Sequence, residues 1–373
     1  MAIAGTSVTL NSTEGHDKIT ITEKVTSPYF SDGSTELLAA NLVSESISDT
    51  NEVYYFGISN SNTTTTTEFH VAYGHVDGNG GNDESDAIKS PTSAIYKQFA
   101  SLLLPAQEVT GGFFISDQGS EGVKQGAKDD DIYVLIAERA NMKDRINKEN
   151  WTIALSGSTP TGAGSSTAAP LLQLTDDSKN DDATPTPVGD RYNIVSGSDG
   201  TTATSQGASV RTFGWFYPDA GIMVFSAAEL SSSIPGKSDS VNSVVTFASA
   251  SQHGLAYTTN TDANYKTALR FVNCLSTANS NAKLTFRDEE DQVSAQYFCR
   301  VKSGQMNFSN NPTFVSGSLN ELRQTTMKGN PSTFITSVQL YNAAGDIVAV
   351  GNLSTPLKKN FSSEATIKVK LTY

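Results

Sequence analysis

Short runs that alternate apolar and polar residues recur along this chain, separated by clusters of Gly, Pro, Asn, Asp, Ser and Thr. Successive side chains of a strand point to opposite sides of its sheet, so a period of two marks a half-buried strand. KITITEKV at 18–25 and WTIALSG at 151–157 carry that period, while EVYYFGIS at 52–59 and TEFHVAYGHV at 67–76 are rich in β-forming residues. DDIYVLIAERA at 130–140 holds an unbroken apolar run, which predicts a strand covered on both faces. The segment ATIKVKLTY alternates again, with Ile367, Val369, Leu371 and Tyr373 on one side and Thr366, Lys368, Lys370 and Thr372 on the other. It is expected to be built into a sheet, pairing with the nearby IVAV or ITSVQL run and burying its apolar side, with its lysines facing solvent or an acidic neighbour.

One segment departs from this period. PTSAIYKQFASLLLP at 91–105 puts Ile95, Phe99, Leu102 and Leu103 at helical spacing between Pro91 and Pro105, which predicts a helix near 91–104 packed on one side of a sheet. FGWFYPDAGIMVFSAAEL at 213–230 reads as a hairpin turning at PDAG, with Phe213, Trp215 and Tyr217 sharing a strand face and Phe216 on the other. NAAGD at 342–346 joins STFITSVQLYN to GDIVAVGNL as a second hairpin. Residues 156–210 are dominated by small, turn-forming residues around two short strands and an acidic loop, where Asp176, Asp177, Asp181 and Asp182 are expected to be solvated. The fold class expected is mainly β: an antiparallel β-rich multidomain structural protein with one or a few short helices. The expected division is an N-terminal β-rich domain at 1–157, a loop-rich middle or outer domain at 158–268, and a C-terminal β-sheet domain at 269–373.

Composition narrows the classes of partner. The 373 residues exceed the usual size of one domain, and only 17% are charged, below the typical quarter. The formal net charge is -13 and the few Lys and Arg are dispersed, so attraction to a phosphate backbone is disfavoured and no nucleic-acid partner is expected. Nowhere do 18 apolar residues run together, and MAIAGTSVTL offers no basic leader, so the expectation is a soluble protein made in a cytoplasm, without a membrane partner. Cys274 and Cys299 allow one disulfide at most; in the contexts FVNCL and YFCRV the ordinary reading is a buried free thiol.

Motifs for active chemistry are sparse. Of the four histidines only His70 and His75 are near each other, and a spacing of five on a strand puts them on opposite faces. Neither HExxH nor paired CxxC occurs. DGNGGNDESD at 77–86 crowds Asp77, Asn79, Asp83, Glu84 and Asp86 together, but lacks the alternation and closing Glu of an EF-hand, and reads as a solvated turn. GxSxG, GxxxxGK[ST] and GxGxxG are absent, and neither cysteine shows a base beside it. The expectation is therefore a protein without catalytic residues, metal ligands or cofactor, whose surfaces carry its function.

Two sets of residues are candidates for such a surface: Lys143, Asp144 and Arg145 in the polar connection NMKDRINKEN, and Lys368 and Lys370 on the last strand. Tyr297, Phe298, Phe308 and Phe314 are expected in the core, with a subunit contact as the alternative. LTFRDEEDQVSAQYFCRVKSGQMNFSNNPTF, and then NPSTFITSVQLYNAAGDIVAVGNLSTPLKKNFSSEATIKVKLTY, resemble the C-terminal part of virion structural proteins from large contractile-tailed bacteriophages, notably those of marine cyanobacteria. TSAIYKQFASLLLP, DDIYVLIAERANMKDRINKENWTIALSG and the block from YNIVSGSD to FGWFYPDAGIMVFSAAEL resemble further parts of the same group, in the same order. The resemblance implies a myovirus-type tail or baseplate component, a wedge protein among the options, present in many copies and bound to other tail or baseplate subunits of the virion. It carries over no catalytic residue. A capsid-associated or decoration protein and a host-receptor-binding tail protein are the alternatives.

Overall fold

The computed structural model describes residues 10, 16–38, 42–44, 55–60, 66–78, 91–115, 128–155, 172–203, 211–230, 268, 271–272, 275, 282–319 and 321–372. In chain order the first strands are β1 (Lys18–Pro28), β2 (Glu36–Leu38), β3 (Leu42–Ser44), β4 (Tyr55–Asn60) and β5 (Thr67–His75), followed by the helix α1 (Pro91–Leu103). Then come β6 (Asp131–Ala137), β7 (Arg145–Ile146), β8 (Thr152–Leu155), β9 (Leu172–Asp176), β10 (Thr184–Thr186), β11 (Gly189–Ser198), β12 (Thr201–Thr202), β13 (Thr212–Tyr217) and β14 (Ile222–Ser226). The remainder holds β15 (Ala282–Thr285), β16 (Arg287–Val301), β17 (Val315–Ser316), β18 (Glu321–Leu322), β19 (Thr333–Tyr341), β20 (Ile347–Lys359) and β21 (Ala365–Thr372). Among the described residues the chain is thus mainly β, with several sheets and one substantial helix, as its periodicity predicts.

Two compact units divide the chain: Val25–Glu290 forms the larger, and Met1–Lys24 with Asp291–Tyr373 the smaller. The divisions fall inside β1 and β16 rather than at 157/158 and 268/269. Antiparallel pairing of β6 with β14 and of β8 with β9 ties residues on either side of 157 into one sheet.

The larger unit is organised on a 13-stranded sheet whose main path runs β2-β15-β8-β9-β11-β13-β14-β6-β5-β4-β3. Its central strands are apolar at nearly every position because both faces are covered. On β6, Tyr133 and Leu135 enter one apolar cluster while Ile132 and Val134 enter the other; on β14, Met223 and Phe225 oppose Ile222 and Val224 in the same way. The second cluster is roofed by α1, which supplies Ile95, Tyr96, Phe99 and Leu103. The first is covered in part by Ala268, Phe271, Val272 and Leu275, with Phe271 at 5.5 Å from Tyr133 and 5.4 Å from Phe225, and in part by the sheet itself. In a flat sheet β15 and β5, seven strand spacings apart, would stand about 34 Å from each other at roughly 4.8 Å per strand. Yet Phe286, just after β15, lies 4.9 Å centroid to centroid from Phe69 on β5. Trp151 closes the same gap, stacked on Phe286 at 5.8 Å and edge-on to Phe216 of β13 at 5.3 Å. The sheet therefore curls until its inner face meets itself.

One expectation about this sheet needs correction. Trp215 and Tyr217 face the helix-covered cluster as a pair, but Phe213 joins Phe216 in the opposite one. The register of β11 against β13 jumps from Ile194↔Gly214 to Val195↔Thr212, leaving Phe213 as an extra residue. A bulge of this kind shifts the side-chain alternation by one position. The hairpin itself is as expected, with Tyr217 opposite Ile222 across the turn.

The smaller unit is built differently. Its β16 residues Ser294–Val301 pair antiparallel with β21, and β1 lies on the other side of β16. β17–β18 and β19–β20 are separate two-stranded sheets. Among the described residues its buried apolar side chains are Ala295, Val301, Val315 and Ala365, and neither apolar cluster includes a residue of this unit. Two expectations change here. β21 pairs with β16, not with the neighbouring β19 or β20, and Ile367, Val369 and Leu371 are half-buried. Tyr297, Phe298 and Phe314 are half-buried, and Phe308 is exposed, edge-on to Phe314 at 5.6 Å. β21 alternates as its sequence does, but alternation alone does not say what lies over the apolar side. Tyr373 and Cys274 lie outside the described residues; Cys299 is half-buried with a free thiol, which burial pushes above its ordinary pKa.

The seat of α1 yields a prediction. A Cβ on Gly74 of β5 would stand 2.8 Å from the backbone nitrogen of Tyr96, so only a bare glycine lets helix and strand approach this closely. Tyr96 is locked in place, its hydroxyl donating to the Asp129 carbonyl at 2.7 Å and accepting from the Phe113 N–H at 3.0 Å. Gly74→Ala should destabilise the larger unit by about 1–3 kcal/mol, the cost of overpacking. Both tryptophans, Trp151 and Trp215, are in this unit, so denaturant unfolding followed by tryptophan fluorescence measures it; an unchanged midpoint would contradict this packing.

Candidate interaction surface

The first expected surface set, Lys143, Asp144 and Arg145, is in the larger unit, where the chain enters β7. β7 pairs with the start of β16, Arg145 opposite Glu289 and Ile146 opposite Asp288. Lys143 and Asp144 are exposed, as expected, but Arg145 is half-buried in a strand. Its Nε lies 3.6 Å from Glu289 and 3.7 Å from Asp219. The Lys143 ammonium pairs with Glu290 at 2.7 Å, and that hydrogen bond raises its pKa. The backbone is bound as well: Lys143 N–H donates to Asp288 at 2.6 Å and Asp144 N–H to the Glu289 carbonyl at 3.2 Å. Cations placed opposite carboxylates of β16 thus hold this segment to its own unit.

Three carboxyl groups of the larger unit that the sequence does not mark as buried, Asp176, Asp177 and Asp288, are buried. Asp177 accepts from the backbone N–H of Asn193 at 2.9 Å and from its side-chain amide at 2.8 Å, and burial pushes its carboxyl up to about 6. Its neighbour Asp176 accepts from Glu149 N–H at 3.0 Å and from the Ser178 hydroxyl. Asp181 and Asp182 are exposed, as expected. Asp288, held by Lys143 N–H, is likewise pushed up to about 6 by burial. These acids act as hydrogen-bond acceptors that pin loops. Among the described residues no group of three or more His, Cys, Asp or Glu could hold a metal ion. Of the 77–86 loop only Asp77 and Gly78 are described. His75 Nδ1 accepts from Asp77 N–H at 3.1 Å, and His70, of the opposite parity on β5, lies 3.4 Å from Glu138.

The second expected set, Lys368 and Lys370, is exposed on β21, opposite Phe298 and Gln296 of β16. A larger feature of the smaller unit lies beside them in sequence. β19 and β20 form a two-stranded ribbon in which Phe334, Tyr341, Ile347, Val348, Val350 and Leu357 are each 38–59% exposed. Its base is fixed by Lys359, whose buried ammonium donates to the Ser303 carbonyl at 2.9 Å, Asn307 Oδ1 at 2.8 Å and the Asn360 carbonyl at 2.8 Å. All three ammonium protons have an acceptor, as a buried lysine requires. These exposed apolar side chains make the ribbon the candidate interaction surface of the unit.

Comparison with protein-family models, with curated proteins and with solved structures gives no match.

The Asp288 carboxyl supplies a pH test. Its folded pKa of about 6 stands above the ordinary 3.8, so its ionisation costs stability above pH 6, and the cost is lifted as the pH falls from 6 towards 3.8. Wild-type protein should gain stability from this group on acidification through that window. Asp288→Asn, neutral throughout and still an acceptor for Lys143 N–H, should gain less. Thermal melts of both proteins across the window check this; parallel pH profiles would contradict it.

Proposed function

We propose that this chain is a structural component of a contractile phage tail, placed in the baseplate, and that it acts by assembling with other virion subunits. The observation that carries the reading is the contrast between the two units. One buries two apolar clusters; the other buries four apolar side chains among its described residues and leaves an apolar ribbon open to solvent. A unit of this kind gains little from its own burial, and contact with neighbours supplies the missing cover. Repetition in a particle then multiplies modest contacts into a stable assembly. The resemblance of the C-terminal blocks to virion structural proteins of contractile-tailed phages falls on this same unit. The exposed lysines of β21 and the Lys143–Glu290 corner are secondary contacts in this reading, because exposed ion pairs contribute little.

Antibody labelling of intact particles tests the placement. Signal at the baseplate end of the tail is expected. Signal on the capsid surface would replace the tail placement with a decoration role, and absence of the protein from purified particles would remove the virion reading.

A further inference from the structure

A two-stranded ribbon has two outer edges, each a row of backbone groups ready to pair with another strand. Stable sheets need three or more strands or a packed face, and among the described residues β19–β20 is a two-stranded sheet whose one fully buried side chain is Lys359. The outer edges of this protein differ in how they are guarded. β21 carries Lys368 and Lys370, and β1 carries Lys18, Glu23 and Lys24. β2 and β3, the ends of the large sheet, are three residues each. β20 contains Pro356 and a jump in register, from Leu357 opposite Ile335 to Asn352 opposite Ser337. Charge, shortness, proline and bulges are the means by which edges are kept from pairing. β19, TFITSVQLY, is nine residues long and has no charge, no proline and no glycine.

We propose that the outer edge of β19 pairs antiparallel with the β19 of a second copy of this chain, about a two-fold axis near Ser337. The two ribbons then form one four-stranded sheet in the order β20, β19, β19 of the partner, β20 of the partner. Self-pairing is singled out by the strand's neutrality. In an isologous contact each residue faces itself or its mirror position, so a strand with lysines of one sign would bring like charges together, whereas β19 meets no such penalty. The pairing also joins the two ribbons into a sheet twice as wide, ready to be covered by further subunits. This inference rests on the assembly reading of the smaller unit.

The purified full-length chain tests it, with light scattering coupled to size-exclusion chromatography reading the mass. Wild-type protein is expected at twice the chain mass. Ser337→Lys, which places like charges together at the axis, should return it to the mass of one chain with unchanged tryptophan fluorescence. Asn352→Lys puts the same charge on the same ribbon face, directly across on β20 and away from the axis, and should keep the doubled mass. A wild-type monomer up to the solubility limit would overturn the proposal, as would equal dissociation by both lysines, which would mean packing through the face. A monomer that still enters particles would sink self-pairing and leave the assembly reading standing. A dimer missing from particles would uphold self-pairing and remove the assembly reading.

Discussion

Closure of the large sheet over its own inner face is the constraint on which the rest of the larger unit depends. The meeting of Phe69 with Phe286, sealed by Trp151, brings together residues from strands far apart in the sheet. The curl completes the cover that Ala268, Phe271, Val272 and Leu275 begin over the inward apolar positions, while α1 covers the other side. The curl also explains the aromatic content of the inner face. Large rings span the space between opposed strands, and tilted and edge-on pairs at 4.9–6.0 Å fill it without a second sheet. The bulge at Phe213 belongs to the same device, because bulges add local bend and twist where a sheet must turn.

Burial of acids is the accompanying cost. Asp177 and Asp288 lose hydration, which lifts their carboxyls to about 6, and each is offset by backbone N–H donors that it holds in place. Loops that cannot contribute to an apolar cluster are thereby tied to the sheet by polar bonds. The smaller unit solves its stability differently. It has strand pairing and a lysine with three acceptors at the base of a ribbon, but no apolar cluster among the described residues. Most of its exposed large apolar side chains are gathered on that ribbon.

Much of the fold was legible in the sequence because it depends on local pattern. The β6 run is apolar on both parities, and its two faces do enter two clusters; Pro91 and the 3.6 period marked α1; PDAG and NAAGD marked two hairpins. What failed to show is non-local. The partner of β21 is β16, some 70 residues upstream, and hairpin reasoning favours the neighbour in sequence. The bulge at Phe213 inverts one side chain without a glycine or proline to announce it at that residue. Asp176 and Asp177 look like a solvated loop until Glu149 and Asn193 bring their N–H groups, and Arg145 looks exposed until Glu289 and Asp219 are placed beside it. The neutrality of β19 was visible from the start, but its meaning was not. Only the pairings among the described residues show which of their edges are left open.

The central claim is that the smaller unit draws its stability from assembly while the larger unit supplies its own. Hydrogen exchange of the full-length chain, measured by mass spectrometry in dilute and in concentrated solution, tests this most directly. Amides of β6, β13 and β14 should exchange slowly at both concentrations. Amides of β19 and β20 should exchange quickly in dilute solution and slow down as the protein is concentrated. Protection of the ribbon in dilute solution equal to that of β6 would contradict the account.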